Sequence, residues 1–484
     1  MRSWELAVRL DPAGDLPVFL QIARAVAADV RRGRLRAGDA MPSSRALARS
    51  LSVHRNTVLA AYGELTAEGW IEAEPSRGTV VSGSVAAPAR KARAPRVAPA
   101  ATTGFDIGPA IEPYPHAVHP AGALVMTGGV PDLRLVPATA LARAYRRAIV
   151  DGRARTLDYG DPRGHPRLRE ALGAMLAALR GLAAPKEALL ITRGSQMALD
   201  LVARALIAPG DVVAVEALGY RPAWAALRAA GARLAPLPVD AHGLDTDALA
   251  ELCDRERVRA VYITPHHQYP TTAVLSAGRR LALLELARAQ RIAVIEDDYD
   301  HEFHYDGRPV LPLASADPAG VVVYLGTLSK ILAPGLRLGF VVAPAPLLEK
   351  LATIRTYVDR QGDHTVELAV AELLEDGEVQ RHVRRARRAY LARREALVEA
   401  LGQRLGDALT FEPPAGGMAL WARAAAGIDV DAWADRALAR KVVFSTARRF
   451  TFDGRRRSFV RLGFATLDEK ELREAVRRMA AALE

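Results

Sequence analysis

The chain has 484 residues, with 66 lysines and arginines against 55 aspartates and glutamates, a formal net charge of +11. Half of the residues are apolar and a quarter are charged, which excludes disorder throughout and a collagen-like repeat. At roughly 100–200 residues per domain, two to four domains are expected.

Met1–Gly14 mixes charged and apolar residues and lacks the apolar core of a secretion signal. Pro17–Arg32 follows with Val18, Ile22, Val26 and Val30 at four-residue spacing, which predicts a helix with one buried face. Gly33 and Gly38 break it. Ser43 and Ser44 open a short helix to Leu51, and Ser52–His54 is a tight turn. A second helix is predicted over Arg55–Glu68, with Val58, Ala61, Tyr62 and Leu65 inward, ended by Gly69. Trp70–Ala73 and Thr79–Val81 alternate as short strands around a turn at Glu74–Gly78. Charge is polarised here: residues 31–55 hold seven arginines against Asp39 alone, whereas 64–74 hold Glu64, Glu68, Glu72 and Glu74 and no base.

Residues 82–104 are rich in Ala and Pro and carry Arg90, Lys91, Arg93 and Arg96 without an acid. They read as a solvated, semi-extended linker. The expected domains are therefore 1–81, a linker at 82–104, and a body at 105–484. In the body, strands are predicted at Leu189–Thr192, Val212–Glu216, Ala260–Thr264, Ala293–Glu296, Val321–Leu325 and Gly339–Val342. Helices lie between most of them, including Gln196–Ile207, Pro222–Ala230 and Ala277–Ala289. Such alternation predicts an α/β body with a mainly parallel sheet. A smaller α+β region is expected from about Pro344, with long helices around Val366–Arg404. Cys253 is the only cysteine. That excludes an intramolecular disulfide and a cysteine metal cage, and points to a reducing, cytoplasmic setting. No metal site is predicted, and no apolar run approaches the roughly 20 residues of a membrane helix.

A pI near 10 favours an anionic partner, nucleic acid foremost. Helix, turn, helix and a two-stranded wing is a DNA-reading arrangement, with the start of the second helix at base edges. That start is His54, Arg55, Asn56 and Thr57. Arg pairs with guanine and Asn with adenine, and Arg45 and Arg49 on the preceding helix are placed for phosphates. A plain three-helix bundle with solvated arginines is the competing reading. The run MPSSRALARSLSVHRNTVLAAYGELTAEGWIEAEPSRGTVV (41–81) resembles the GntR-type winged helix-turn-helix. The resemblance implies operator contacts at Arg45, Arg55, Asn56, Thr57 and Gly78. It departs at His54, where Ser or Thr is usual and can cap the recognition helix, so a loosely fixed helix start is expected.

Four body segments each supply part of one site. Thr192–Gln196 is a small-residue turn into a helix, able to present N–H groups to a phosphate. Ile295–Tyr299 ends a strand with acids that can pair with a pyridine nitrogen. Gly326–Lys330 brings a lysine to a strand end, where a lowered pKa permits Schiff-base formation. Arg337 follows as a phosphate partner. All lie at strand C-terminal ends, where open α/β sheets bind ligands.

The body resembles fold-type I aminotransferases, which bind pyridoxal 5'-phosphate. The resemblance implies Lys330 as Schiff-base lysine, Asp297 at the pyridine nitrogen with Asp298 as rival, Tyr299 at the phenolic oxygen, and Tyr220 stacked on the ring. It implies Ser195, Gln196, Thr327 and Arg337 at the phosphate. Tyr159, in YGDPRGHPRLREAL, would reach the other subunit's phosphate, and Arg461, in VRLGFA, would clamp a substrate carboxylate. Segment TPHHQYPTT (264–272) departs in placing Tyr269 where aminotransferases have Asn and Thr272 where Gly is usual. Ligand choice is expected from side chains around Val130–Pro137 and Met418.

A GntR-type head joined to an aminotransferase-like body resembles the MocR/GabR subfamily of GntR-family transcriptional regulators. The resemblance implies a homodimeric, PLP-dependent regulator that binds operator DNA, not a membrane. It would sense PLP or an amino compound through an aldimine at Lys330. The residues leave two other readings open: a working aminotransferase carrying a DNA-binding head, and a body that is only a dimerisation scaffold. Two arginine-rich stretches, 381–394 and 440–461, read first as a solvated helix face and a basic loop, and second as a further DNA contact.

Overall fold

A computed structural model describes residues 10–11, 16–75, 77–85, 105–106, 119–152, 154–307 and 310–483. From residue 86 on, the expected linker lies outside the described residues, as does most of the N-terminal segment. The chain falls into two compact units, 1–112 and 113–484.

The first unit has helices α1 (Val18–Arg31), α2 (Ser44–Leu51) and α3 (Arg55–Ala67), and a hairpin of strands β1 (Ile71–Glu74) and β2 (Gly78–Val81). Ile22, Val26, Leu47, Val58, Ala61, Leu65, Ile71 and Val81 form its core. The spacing of apolar residues in α1 and α3 thus selects the buried faces as expected. Ser43 Oγ accepts the Ala46 N–H at 3.2 Å and caps α2. The segment 39–41 adds an edge that the sequence does not reveal. Met41 N–H donates to Thr79 O at 2.8 Å, and Val81 N–H to Asp39 O at 2.9 Å.

The second unit is built on a seven-stranded sheet of β3 (Leu189–Thr192), β4 (Val212–Glu216), β5 (Arg233–Leu237), β6 (Val258–Ile263), β7 (Ala293–Asp298), β8 (Val322–Thr327) and β9 (Gly339–Val342). Their spatial order is β3-β9-β8-β7-β6-β4-β5, and only β9 runs against the rest. Alternate residues pack on opposite faces. Leu190, Val213, Val215 and Ile295 join the helices Ser195–Leu206 and Arg221–Ala229. On the other face, Val212, Ala214, Val261 and Val294 meet helices Thr246–Arg255 and Ala277–Gln290. Both faces are covered, which explains why these strands read as continuous apolar runs.

The smaller region does not begin near Pro344. Helix His364–Glu375 buries Ala369, Val370, Leu373 and Leu374 against Leu168, Leu189 and Phe340 of the large region. The division falls inside the next helix, Glu378–Leu405. Its Val379 joins that same core, while Tyr390, Leu397 and Leu401 join the small one. A helical pattern shows which face is buried, not which core receives it. The small region has an antiparallel sheet of strands β10 (Leu409–Phe411), β11 (Ala419–Ala424), β12 (Ser445–Thr446) and β13 (Phe459–Gly463), in the order β10-β11-β13-β12. Leu124–Val125 pairs in parallel with Val442–Val443, so an early segment completes this late region.

Candidate functional site

The start of α3 is held firmly, against expectation. His54 Nδ1 accepts the Asn56 N–H at 3.2 Å, so the imidazole caps the helix in place of Ser or Thr. Arg55 Nε donates to Ser44 Oγ at 3.3 Å, which sets this start beside the first turn of α2. Arg45, Arg55 and Asn56 are exposed and Thr57 is half-buried. Gly78 is exposed, with φ +80°, a conformation that disfavours other residues. Its neighbour Arg77 pairs with Glu74 at 3.5 Å. The arrangement presents an arginine, an amide and an uncluttered wing to solvent.

In the second unit, the ends of β3, β4, β6, β7 and β8 surround a cavity of about 270 Å³. Its lining includes Gly129, Ser195, Tyr220, Tyr269, Asp297, Tyr299, Lys330 and Arg449. Lys330 Nζ donates to Gly129 O. Burial, and then the nearby Arg461 guanidinium, lower the pKa of its ammonium below the ordinary lysine value. Asp297 Oδ2 accepts from Tyr262 Oη at 2.8 Å, while Oδ1 is buried without a hydrogen-bond partner. Burial pushes the Asp297 carboxyl up to about 6.

Asp298 points away from this cavity. It accepts from Tyr324 Oη at 2.7 Å and sits 3.6 Å from Arg180 Nη1 and 3.0 Å from His301 Nδ1. Despite burial, His301 and Arg180 hold its carboxyl well below the usual carboxylate range.

Ser195 opens the helix Ser195–Leu206, whose first turn has no side-chain cap. Its leading N–H groups thus remain available to an anion. Arg337 lies beside this turn, its Nη2 donating to Arg193 O at 2.9 Å. Gln196 and Thr327 are not in the cavity lining. Gln196 Nε2 donates to Pro222 O at 3.0 Å, and Thr327 Oγ1 to Leu338 O at 3.2 Å. Tyr299 lines the cavity while donating to His267 O at 2.9 Å. Tyr159 is 75% exposed under the Arg360 guanidinium and is not part of this chain's own cavity.

Arg461 is buried, and among the described residues it forms no ion pair. Its Cζ lies 4.6 Å from the Tyr269 ring centroid, and Nη1 donates weakly to Thr127 O at 3.4 Å. A Cβ on Gly128 would fall 2.4 Å from Arg461 Nη1, so glycine is needed there. Tyr262, Gly128 and Gly129 also line the cavity, although the sequence motifs do not single them out. The Gly-Gly pair before Val130-Pro131 was the available signal; Tyr262 is hidden in an apolar strand. Val130 lines the cavity as expected, whereas Met418 is buried in the small core. The 381–394 stretch is not all solvated. Arg393 and Arg394 are buried and pair with Asp132 at 2.8 Å and Asp306 at 2.5 Å, while Arg384 and Arg388 stay exposed.

Comparison with known proteins agrees with both units. The family "Bacterial regulatory proteins, gntR family" matches residues 19–81, and "Aminotransferase class I and II" matches residues 126–479. "Probable rhizopine catabolism regulatory protein MocR" of Rhizobium meliloti is 31% identical over 98% of this chain and 95% of that protein. The chain belongs to the MocR-type, GntR-family transcriptional regulators. A second such regulator, "HTH-type transcriptional regulator TauR" of Rhodobacter capsulatus, is 33% identical over 98% of each chain. The body of this MocR-type chain is also similar to LysN, an alpha-aminoadipate aminotransferase from Thermus thermophilus. Identity is 34% and the TM-score 0.69, over 75% of this chain and 92% of that one. LysN was solved with a phosphopyridoxyl-leucine ligand. The MocR-type body has the aminotransferase fold, and its cofactor is pyridoxal 5'-phosphate. The residues fit that group. Asp297 offers a buried oxygen without a partner, Lys330 an amine of lowered basicity, and Ser195 an uncapped helix start. Among the described residues, no helix is long and apolar enough to cross a membrane.

Proposed function

We propose that this chain is a cytoplasmic, homodimeric regulator that senses pyridoxal phosphate, or a primary amino compound reacting with it, at Lys330. The observation that carries the reading is the cavity lined by Lys330 and Asp297, with the buried Arg461 packed behind its Gly128 and Tyr269 walls, in a chain whose other unit is a GntR-type head.

The cofactor supplies an aldehyde carbon that condenses with amines and an electron-withdrawing ring. Lys330 Nζ would hold it covalently and is the amine that an effector must displace. Its lowered basicity keeps Nζ able to form and release that bond. Asp297 Oδ1 would hold a proton at the ring nitrogen, Tyr299 would bind the phenolic oxygen, and Tyr220 would stack on the ring. The phosphate would sit at the Ser195 helix start, with Gln196, Thr327 and Arg337 around it and Tyr159 of the partner subunit above it. Arg461 would clamp an effector carboxylate bidentately. In the head, Arg45, Arg55, Asn56, Thr57 and Gly78 would contact the operator. An effector acts by binding one conformation of the body more tightly than another.

Operator titrations of the full chain, with and without PLP and amino compounds, test this. The reading expects affinity, salt slope or footprint to change. Identity of all three in every condition contradicts it.

Retention of Lys330, Asp297 and Arg461 also suits a working aminotransferase. Tyr269 in the usual Asn position, with its ring against Arg461, favours sensing over turnover. Rapid-mixing spectra with amino donors separate the two. Steady turnover supports the enzyme; a reaction that stalls after one exchange supports the sensor.

A further inference from the structure

Behind the Tyr299 wall of the cavity lie His266, His267, His301 and His304, all buried. One ring nitrogen from each of His266, His267 and His304 lies within 4.8 Å of the other two. The hydrogen bonds fix two of the tautomers. His304 Nε2 is 2.6 Å from Asp306 O, and a carbonyl can only accept, so Nε2 carries the proton and Nδ1 a lone pair. His267 Nδ1 is 2.8 Å from Asp300 Oδ1, so it donates to that carboxylate and leaves Nε2 as the lone pair. Both remaining nitrogens, His304 Nδ1 and His267 Nε2, are buried with no hydrogen-bond partner, and so are both nitrogens of His266. Buried polar atoms are rarely left so.

We infer that His266, His267 and His304 form a site for one divalent transition-metal ion of the zinc class, separate from the cofactor cavity. Three imidazoles suit zinc, with a fourth position left for water or a further side chain. Metal-bound histidines usually donate their other N–H to a carboxylate or a backbone carbonyl. His267 and His304 already do so, one to each type. Ligands at about 2.0–2.1 Å from a tetrahedral ion sit roughly 3.4 Å apart, so nitrogens that now lie within 4.8 Å of one another close by up to about 1.4 Å on binding. Gly416 keeps the place open: a Cβ there would fall 2.4 Å from His267 Nε2.

The site would staple two segments, with a third packed against them. His266 and His267 belong to 264–272, and His304 belongs to the turn after β7. Gly416 is on the small-region loop, bridged to His304. Tyr299 Oη donates to His267 O, so the same backbone forms one wall of the cofactor cavity. The sequence names no metal here because the histidines lie in two separate segments and only the fold gathers them.

Untagged full-length protein, stripped with chelator and dialysed, is titrated with Zn²⁺ and separately with Co²⁺. The inference expects about one Zn²⁺ per chain, a higher melting temperature with metal, and the intense visible spectrum of a four-coordinate Co²⁺ site. His304→Gln and His266→Gln should each lower Zn²⁺ affinity at least tenfold and abolish the thermal shift. Less than about a tenth of an equivalent bound at micromolar Zn²⁺, a weak octahedral Co²⁺ spectrum, or wild-type uptake in a folded His304→Gln chain would overturn it. Should both variants fail to fold, the wild-type stoichiometry and Co²⁺ spectrum decide alone.

Discussion

Asp297 and Asp298 are consecutive on one strand and face opposite sides of the sheet. Asp297 shares its side with Tyr262 and the cavity, and Asp298 shares the other with Tyr324 and Arg180. Strand alternation produces this split. It separates two acids that the sequence presents as equivalents for one role. One faces the cofactor cavity; the other belongs to a buried ion network with Arg180, Glu302 and His301.

The two acids should therefore respond oppositely to the same change. Asp298→Asn breaks a buried charge cluster and should cost about 3–5 kcal/mol of stability. Asp297→Asn keeps an acceptor for Tyr262 and removes a buried carboxyl, so stability at pH 8 should hold or rise. Its PLP affinity should fall at least tenfold. Denaturant melts and PLP titrations of both variants check this; the reverse pattern would reassign the roles.

Three buried carboxyls of the PLP-free body should contribute stability that falls as pH rises from about 4 to 8, opposed below about 6.5 by His165 and His266, whose pKa values burial lowers to about 4 and about 2. Burial raises Asp297 to about 6, Glu296 to about 7 and Glu216 to about 8. In the folded chain these carboxyls keep protons that the unfolded chain gives up near pH 4, and their contribution to stability declines through this window. The loss should be on the order of a few kcal/mol. Asp298 works in the other direction at acid pH, where its charge is lost, and the histidines do so up to about pH 6.5, so the decline stands clear only above that value. Glu216→Gln, which keeps an oxygen for the Thr264 hydroxyl, should flatten the curve measured by urea unfolding at several pH values.

Arg55→Ala and Asn56→Ala should each weaken operator binding roughly 5- to 150-fold and relax base preference at one position. Arg45→Ala should weaken all sequences alike and reduce the salt slope. Fluorescence anisotropy on operator and scrambled DNA distinguishes the two classes. His54→Ala removes the observed cap and should cost the head about 1 kcal/mol, visible in its thermal melt.

Much of this was legible because local rules were strong. Apolar spacing gave the buried faces of α1 and α3, and apolar runs gave most sheet strands. Lys330, Asp297, Ser195, Tyr220 and Tyr299 meet at one cavity because loops at strand ends converge there. What stayed hidden depends on contacts between distant segments. Tyr262 looks like core until its hydroxyl is seen against Asp297. Arg393 and Arg394 look solvated until Asp132 and Asp306 come round to them. His54 shows a smaller gap: a residue unusual at a capping position still offers the nitrogen that the cap requires.

The most direct measurement is the effector-induced change in operator affinity, compared between the wild-type chain and Lys330→Ala, both supplied with PLP. The account predicts that an amino effector shifts wild-type affinity at least about fivefold and leaves Lys330→Ala unmoved. An equal shift in both chains, or no shift with any amino compound or with PLP itself, would contradict sensing at Lys330.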